Sequence, residues 1–156
     1  MTDDIDRIMA VMTAAFDPVY GEAWSRRQVE DSLLVPGTAY LLAGETGEYP
    51  LRTGAAGGFA LWRTLAGETE LLLLAVKPEF RHHGIGTALL QGLLDLSANT
   101  GIDRVFLEMR DGNPAGSLYL RAGFKEIGRR PNYYRRGLGE PVDAITFSWE
   151  LGEKFM

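Results

Sequence analysis

Val76-Lys77-Pro78-Glu79-Phe80-Arg81-His82-His83-Gly84-Ile85-Gly86-Thr87 is the stretch that decides how this 156-residue chain folds. Before it, the segment Thr69–Val76 contains Leu71-Leu72-Leu73-Leu74-Ala75-Val76, an apolar run suited to a strand buried on both faces. After it, Gly84 to Thr100 sets Leu89, Leu90, Leu93, Leu94 and Ser97 on one helical stripe, with Gly101 as the stop. A buried strand therefore ends, a proline turns the chain, and two glycines open a helix. Glycine lets the backbone approach a ligand closely, and a helix start offers unpaired N–H groups and the positive end of a dipole. The loop reads as an anion site, most naturally for a pyrophosphate. No Gly-Lys-Ser/Thr is present, which excludes the nucleoside triphosphatase loop. Gly84-x-Gly86-x-x-Leu89 also lacks the third glycine of the dinucleotide fingerprint, and no acidic residue stands where a ribose needs one.

Working outward, Ile5, Ile8, Met9, Met12 and Phe16 lie at helical spacing within Asp3 to Phe16. Ser25 and Gln28 form a capping box for a second helix, with Trp24 and Val29 as its hydrophobic staple and Pro36-Gly37 as its limit. Ala39–Ala43 and Gly57–Arg63 read as neighbouring strands. Val105–Met109 is a further strand. Asn113-Pro114 then supplies an N-cap and first-turn proline for a helix ending at Ala122, with Gly123 as its cap. Phe124–Arg129 and Ala144–Leu151 close the chain as antiparallel strands. The order ααβββαβαββ predicts one α/β (α+β) domain over residues 1–156. Its sheet is mixed and largely antiparallel, flanked by helices.

Composition narrows the chemistry. With no cysteine there is no disulfide framework, zinc ribbon or thiol nucleophile, and the two histidines are adjacent, so no metal site is expected. The net charge of −5 argues against direct nucleic-acid binding. Residues 1–80 carry 6 basic and 12 acidic side chains, whereas residues 81–156 carry 10 and 9, so the net negative charge lies in the first half. No apolar run approaches the ~20 residues that span a bilayer. The start Met1-Thr2-Asp3-Asp4 is acidic where a signal peptide is basic, so no membrane role and a cytoplasmic location are expected.

Arg81-x-x-Gly84-x-Gly86, set between strand and helix, resembles the Gln/Arg-x-x-Gly-x-Gly/Ala pattern of the GNAT family of N-acetyltransferases. Asn113 after the next strand and Leu118-Tyr119-x-x-x-Gly123-Phe124 extend the likeness, although the family's usual first strand is missing or very short. Within the family the chain is most similar to bacterial ribosomal-protein alanine N-acetyltransferases. The matching stretches are Ala15-Phe16, Trp24-Ser25, Ala75-Val76-x-Pro78, Leu107-Glu108-x-Arg110, Arg129-Arg130-Pro131-Asn132-Tyr133-Tyr134 and Asp143-Ala144. One departure stands: Asn113 to Tyr119 is a residue shorter than the family spacing, which bears on where the Tyr119 hydroxyl points.

The resemblance implies acetyl-CoA as cosubstrate. Leu74, Ala75 and Val76 are then expected to pair with its pantetheine arm, and Arg81, His82, His83, Gly84, Ile85, Gly86 and Thr87 to hold its pyrophosphate. The histidines are expected to act through backbone N–H groups. Asn113 is a cofactor contact or simply a cap. The glutamate of the Glu-x-Arg element, Glu108, is implied as the base; the other reading pairs it with Arg110 or Arg104. Tyr119 is either the general acid or an aromatic packed beneath the cofactor. Glu70 either meets the substrate's positive terminus or is solvated. Tyr133 and Tyr134, set among Arg129, Arg130, Arg135 and Arg136, line a peptide groove or are plain strand aromatics.

The acceptor expected from this likeness is the α-amine of a protein beginning with a small residue such as alanine, as in a ribosomal protein. An α-amine of pKa ~7.7–8.0 needs only about 1–1.4 kcal/mol to be neutral at pH 7, whereas lysine needs about 4.6. Two alternatives remain: an acetyltransferase for a small-molecule amine, and a non-catalytic acyl-CoA-binding module. The expected assembly is a monomer or weak homodimer.

Overall fold

The computed structural model describes residues 3–16, 22–134 and 140–151. Helix α1 (Asp4–Ala15) starts where Asp3 accepts the Ile5 N–H, and α2 (Arg26–Leu33) starts at Ser25 with both halves of the capping box formed. Strands β1 (Thr38–Gly44), β2 (Ala56–Leu65) and β3 (Glu68–Val76) follow as an antiparallel meander. A short 3-10 turn at Pro78–Phe80 leads into α3 (Ile85–Asn99). Then come β4 (Arg104–Arg110), α4 (Gly116–Arg121), β5 (Lys125–Tyr134) and β6 (Val142–Glu150). The six strands form one sheet in the order β1-β2-β3-β4-β6-β5, with β3–β4 the parallel pair. The expected element order and mixed sheet are both present. Among the described residues no strand precedes α1.

Each face of the sheet has its own core. Alternation along β2 sends Phe59 and Leu61 to α1 and α2, where they meet Ile8, Val11, Met12 and Val29. It sends Ala60 and Trp62 to α3, where they meet Leu89, Leu90, Leu93 and Leu94. Trp24 and Val29 share the first cluster, as the staple requires.

Three details differ from the sequence expectations. The strand buried along most of its length is β2; in β3, Leu72, Leu73 and Leu74 are only half-buried. The reason is a β-bulge. Leu61 pairs with Leu73 and Trp62 with Leu71, so Leu72 is an extra residue that bends the strand. Next, Asn113 does not cap α4 directly. Its Oδ1 accepts the Ala115 N–H at 2.9 Å in a local turn, and the helix begins at Gly116. Finally, β5 runs on to Tyr134 and excludes Phe124, which is buried beside Tyr119.

Candidate active site

The bulge and the parallel pairing together open the sheet. β3 pairs with β4 only at Glu68–Arg104, Thr69–Val105 and Glu70–Phe106, yet both strands continue beyond these residues. The strands part, and the β3 peptide groups from Leu71 onward have no ladder partner on the β4 side. A cleft of about 510 Å³ lies here. Leu74, Ala75 and Val76 line one side, with Arg110, Asn113 and Tyr119 on the other.

One end of the cleft is the glycine loop. Arg81, His82, Gly84, Ile85, Gly86 and Thr87 all line it. Gly84 adopts φ +84° as it opens α3, and His82 reaches φ +67°. Left-handed residues in such a turn are typical of backbone nests that bind anions. The first bond of α3 runs from Ala88 N–H to the Gly84 carbonyl, so the Ile85, Gly86 and Thr87 N–H groups precede the helical ladder. The Arg81 guanidinium ties the loop down instead, donating to the carbonyls of Val76 (3.1 Å) and Ala15 (2.9 Å). His83 is exposed and does not line the cleft. At Gly86, a Cβ would sit 3.3 Å from Leu118 and 3.7 Å from Val76, so a side chain there would narrow the entrance.

An acidic group lies outside the residues that line the cleft. Along β4, Val105, Leu107 and Met109 point into the core, which turns Phe106, Glu108 and Arg110 to the opposite face. Glu70, opposite Phe106, shares that face. Glu108 pairs with Arg130 at 3.2 Å rather than with Arg104 or Arg110. Arg104 binds Glu68 at 3.0 Å, and Arg110 binds Glu22 at 3.3 Å. Burial, and then the charge of Glu108, raises the Glu70 carboxyl above the usual range, against the pull of Arg63. Tyr134 is pushed up to about 12 by burial and then by Glu108 and Glu22. Its ring meets Tyr133 edge-on at 5.3 Å, and Arg130 lies 4.8 Å from the Tyr133 ring centroid. Glu70, Glu108, Tyr133 and Tyr134 thus gather on the face beyond the cleft. Arg135 and Arg136 lie outside the described residues.

Tyr119 stands between these regions. Its ring packs on Phe124 and Phe147 at 5.8 and 6.1 Å, only 6% of the residue is exposed, and it lines the cleft. Burial, with a contribution from Glu22, raises its phenol, so the hydroxyl keeps its proton throughout the neutral range. Glu22 is the site residue the sequence did not disclose. It lies in the connection between α1 and α2, lines the cleft and holds Arg110, with no local pattern to mark it. Ser117 and Arg121, one turn apart on α4, also line the cleft unannounced.

The model of the acetyltransferase (GNAT) family matches residues 5–124, over the loop, β4 and α4. The chain belongs to this family. It is 33% identical over 94 residues to a [ribosomal protein bS18]-alanine N-acetyltransferase of Haemophilus influenzae, covering 60% of this chain and 64% of that protein. It is 39% identical over 101 residues to the N-alpha-acetyltransferase RimI of Mycobacterium tuberculosis, covering 64% of this chain and 60% of that protein. The matches thus span just under two-thirds of these relatives' own length. The crystal structure of the ribosomal-protein-S18-alanine N-acetyltransferase from Escherichia coli superposes with a TM-score of 0.80 at 25% identity, covering 97% of this chain and 90% of that one. The family membership agrees with the resemblance carried by the glycine loop.

Proposed function

We propose that this GNAT chain transfers the acetyl group of acetyl-CoA to the N-terminal α-amine of a polypeptide beginning with a small residue such as alanine, a ribosomal protein being the candidate acceptor. The observation that carries the proposal is the split between β3 and β4, a cleft lined by the glycine loop and Glu22, with Glu70 and Glu108 on the sheet face of the two parting strands. The residues present suit acetyl-CoA. The loop's N-terminal N–H groups match a pyrophosphate, and the unpaired edge of β3 offers donors and acceptors for the amides of pantetheine. The names of the relatives support the α-amine as acceptor.

In this reading the positive α-ammonium approaches from the face of Glu70 and Glu108. Glu108, through a water, takes the proton that leaves the amine. The neutral amine attacks the thioester carbon, and a β3 backbone N–H stabilises the developing oxyanion. Collapse of the tetrahedral adduct expels CoA thiolate, which Tyr119 protonates, and the second proton, lost from nitrogen as the amide forms, passes through water to restore the Tyr119 phenol. A single carboxylate suffices because the α-amine needs only about 1–1.4 kcal/mol to become neutral at pH 7.

Thiol release from acetyl-CoA in the presence of an Ala-first peptide tests the chemistry. E108Q is expected to lower kcat by about 10²–10⁴-fold, and Y119F to lower it as well, while both variants keep their acetyl-CoA affinity. Full turnover in both variants contradicts the assigned roles. A parent protein that binds acetyl-CoA but acetylates none of the amines offered and releases no thiol favours the non-catalytic module.

A further inference from the structure

We propose that Asp143 is a positioning residue for the acceptor groove, its carboxylate pinning the distorted stretch of β5 that carries Tyr133 and Tyr134. The inference rests on reading that face as the acceptor side. Pairing between β5 and β6 is irregular here: Arg130 lies opposite Ala144 and Tyr134 opposite Val142. Three residues, Pro131, Asn132 and Tyr133, therefore face the single residue Asp143. Pro131 has no N–H to give to a ladder, and Asn132 takes φ +54°, a conformation asparagine tolerates better than most residues. Such a stretch needs another restraint. Asp143 supplies it by accepting the Asn132 N–H at 3.0 Å.

Asp143 is itself held from two directions. Its other oxygen accepts from Arg129 at 3.1 Å, and Arg129 also donates to Asp111 (3.0 Å) and Glu126 (3.0 Å). The Asp143 carbonyl accepts the Asp111 N–H at 2.8 Å, which joins the bulge to the end of β4. The Asn132 N–H and then Arg129 hold the Asp143 carboxyl below the usual carboxylate range, so it stays ionised at neutral pH. Exposed ion pairs of this kind contribute little to global stability. What this one sets is geometry. The chain of contacts runs from Asp143 through Asn132 to Tyr133, on to Arg130 against the Tyr133 ring, and from Arg130 to Glu108.

Steady-state kinetics with an Ala-first peptide and acetyl-CoA test the inference. For D143A, the KM for peptide is expected to rise about tenfold, with kcat within about threefold and the KM for acetyl-CoA unchanged. D143N keeps an oxygen for the Asn132 N–H and should stay within about threefold of the parent in every constant. A D143A variant with the parent's peptide KM overturns the inference, as does a D143N variant that loses as much as D143A. A second measurement requires no substitution. The Asn132 amide of the parent should exchange at least about tenfold more slowly than in an unfolded chain; exchange at the unfolded rate overturns the pin. A parent protein that acetylates no α-amine defeats the functional reading itself. An active parent with an unaffected D143A defeats the positioning role alone.

Discussion

Glu70 shows at the scale of one residue what this site costs the fold. Its carboxyl is half-buried beside Glu108, and its proton affinity is raised above the usual carboxylate range. Ionising it therefore costs the folded chain more than the unfolded chain, so above the unfolded carboxylate range it lowers stability relative to an uncharged side chain. E70Q removes that burden. The variant is expected to melt at a higher temperature than the parent at pH 7. As pH falls through the raised folded value and then the unfolded value, the parent's carboxyl becomes neutral in both states and the two melting curves converge by about pH 4. Equal melting temperatures at pH 7 would show that Glu70 carries no such strain. The residues gathered here were legible to different degrees. Glu108 and Arg110 stood in a recognisable Glu-x-Arg element, but the partner of Glu108 was not foreseeable. Arg130 reaches it from another strand across β6, and no local spacing reports that contact. Glu22 was invisible for the same reason, since its role follows from Arg110, 88 residues away in sequence.

At the scale of elements, the order strand–loop–helix from β3 to α3 was legible, though not the burial of β3, because each of its signals is local: an apolar run, a proline turn, paired glycines and a 3.6-residue stripe. The bulge at Leu72 was not legible. Leu71 to Leu74 are chemically identical, and which of them is the extra residue depends on the register of β2 against β3. The start of α4 was misjudged because Asn113-Pro114 serves equally well as a turn or as a cap. Close packing of β2 beneath α3 gives a prediction at this scale. A Cβ on Gly58 would lie 2.9 Å from the Ala75 carbonyl oxygen and 2.9 Å from the Ile85 side chain. Either the sheet or α3 must move to admit it. G58A is therefore expected to lower stability by about 1–3 kcal/mol in urea unfolding. Because Ile85 and Ala75 border the cleft, it should also weaken acetyl-CoA binding. A fully stable G58A with unchanged affinity would mean that the contact between β2 and α3 is looser than described.

For the whole molecule, two helical layers clamp a sheet that is continuous at its edges and open in the middle. Both features come from one pairing choice. β3 and β4 run parallel and part after three residue pairs, while antiparallel neighbours on either side keep the sheet intact. The acidity of the first half of the sequence was a clue at this scale, but its placement was not. Glu22 and Glu70 come from that half, whereas Glu108 comes from the other. The carboxylate face is therefore a product of folding rather than of sequence charge. That face, on the strands that part at the cleft, is the basis for assigning an α-amine acceptor. The most direct test is mass spectrometry of peptides incubated with the protein and acetyl-CoA. Ala-first peptides, the same peptides blocked at the α-amine, and internal-lysine controls should be included. The account predicts a single acetyl group on the α-amine of the Ala-first peptides and none on the blocked peptides or on lysine. Modification confined to lysine would contradict it.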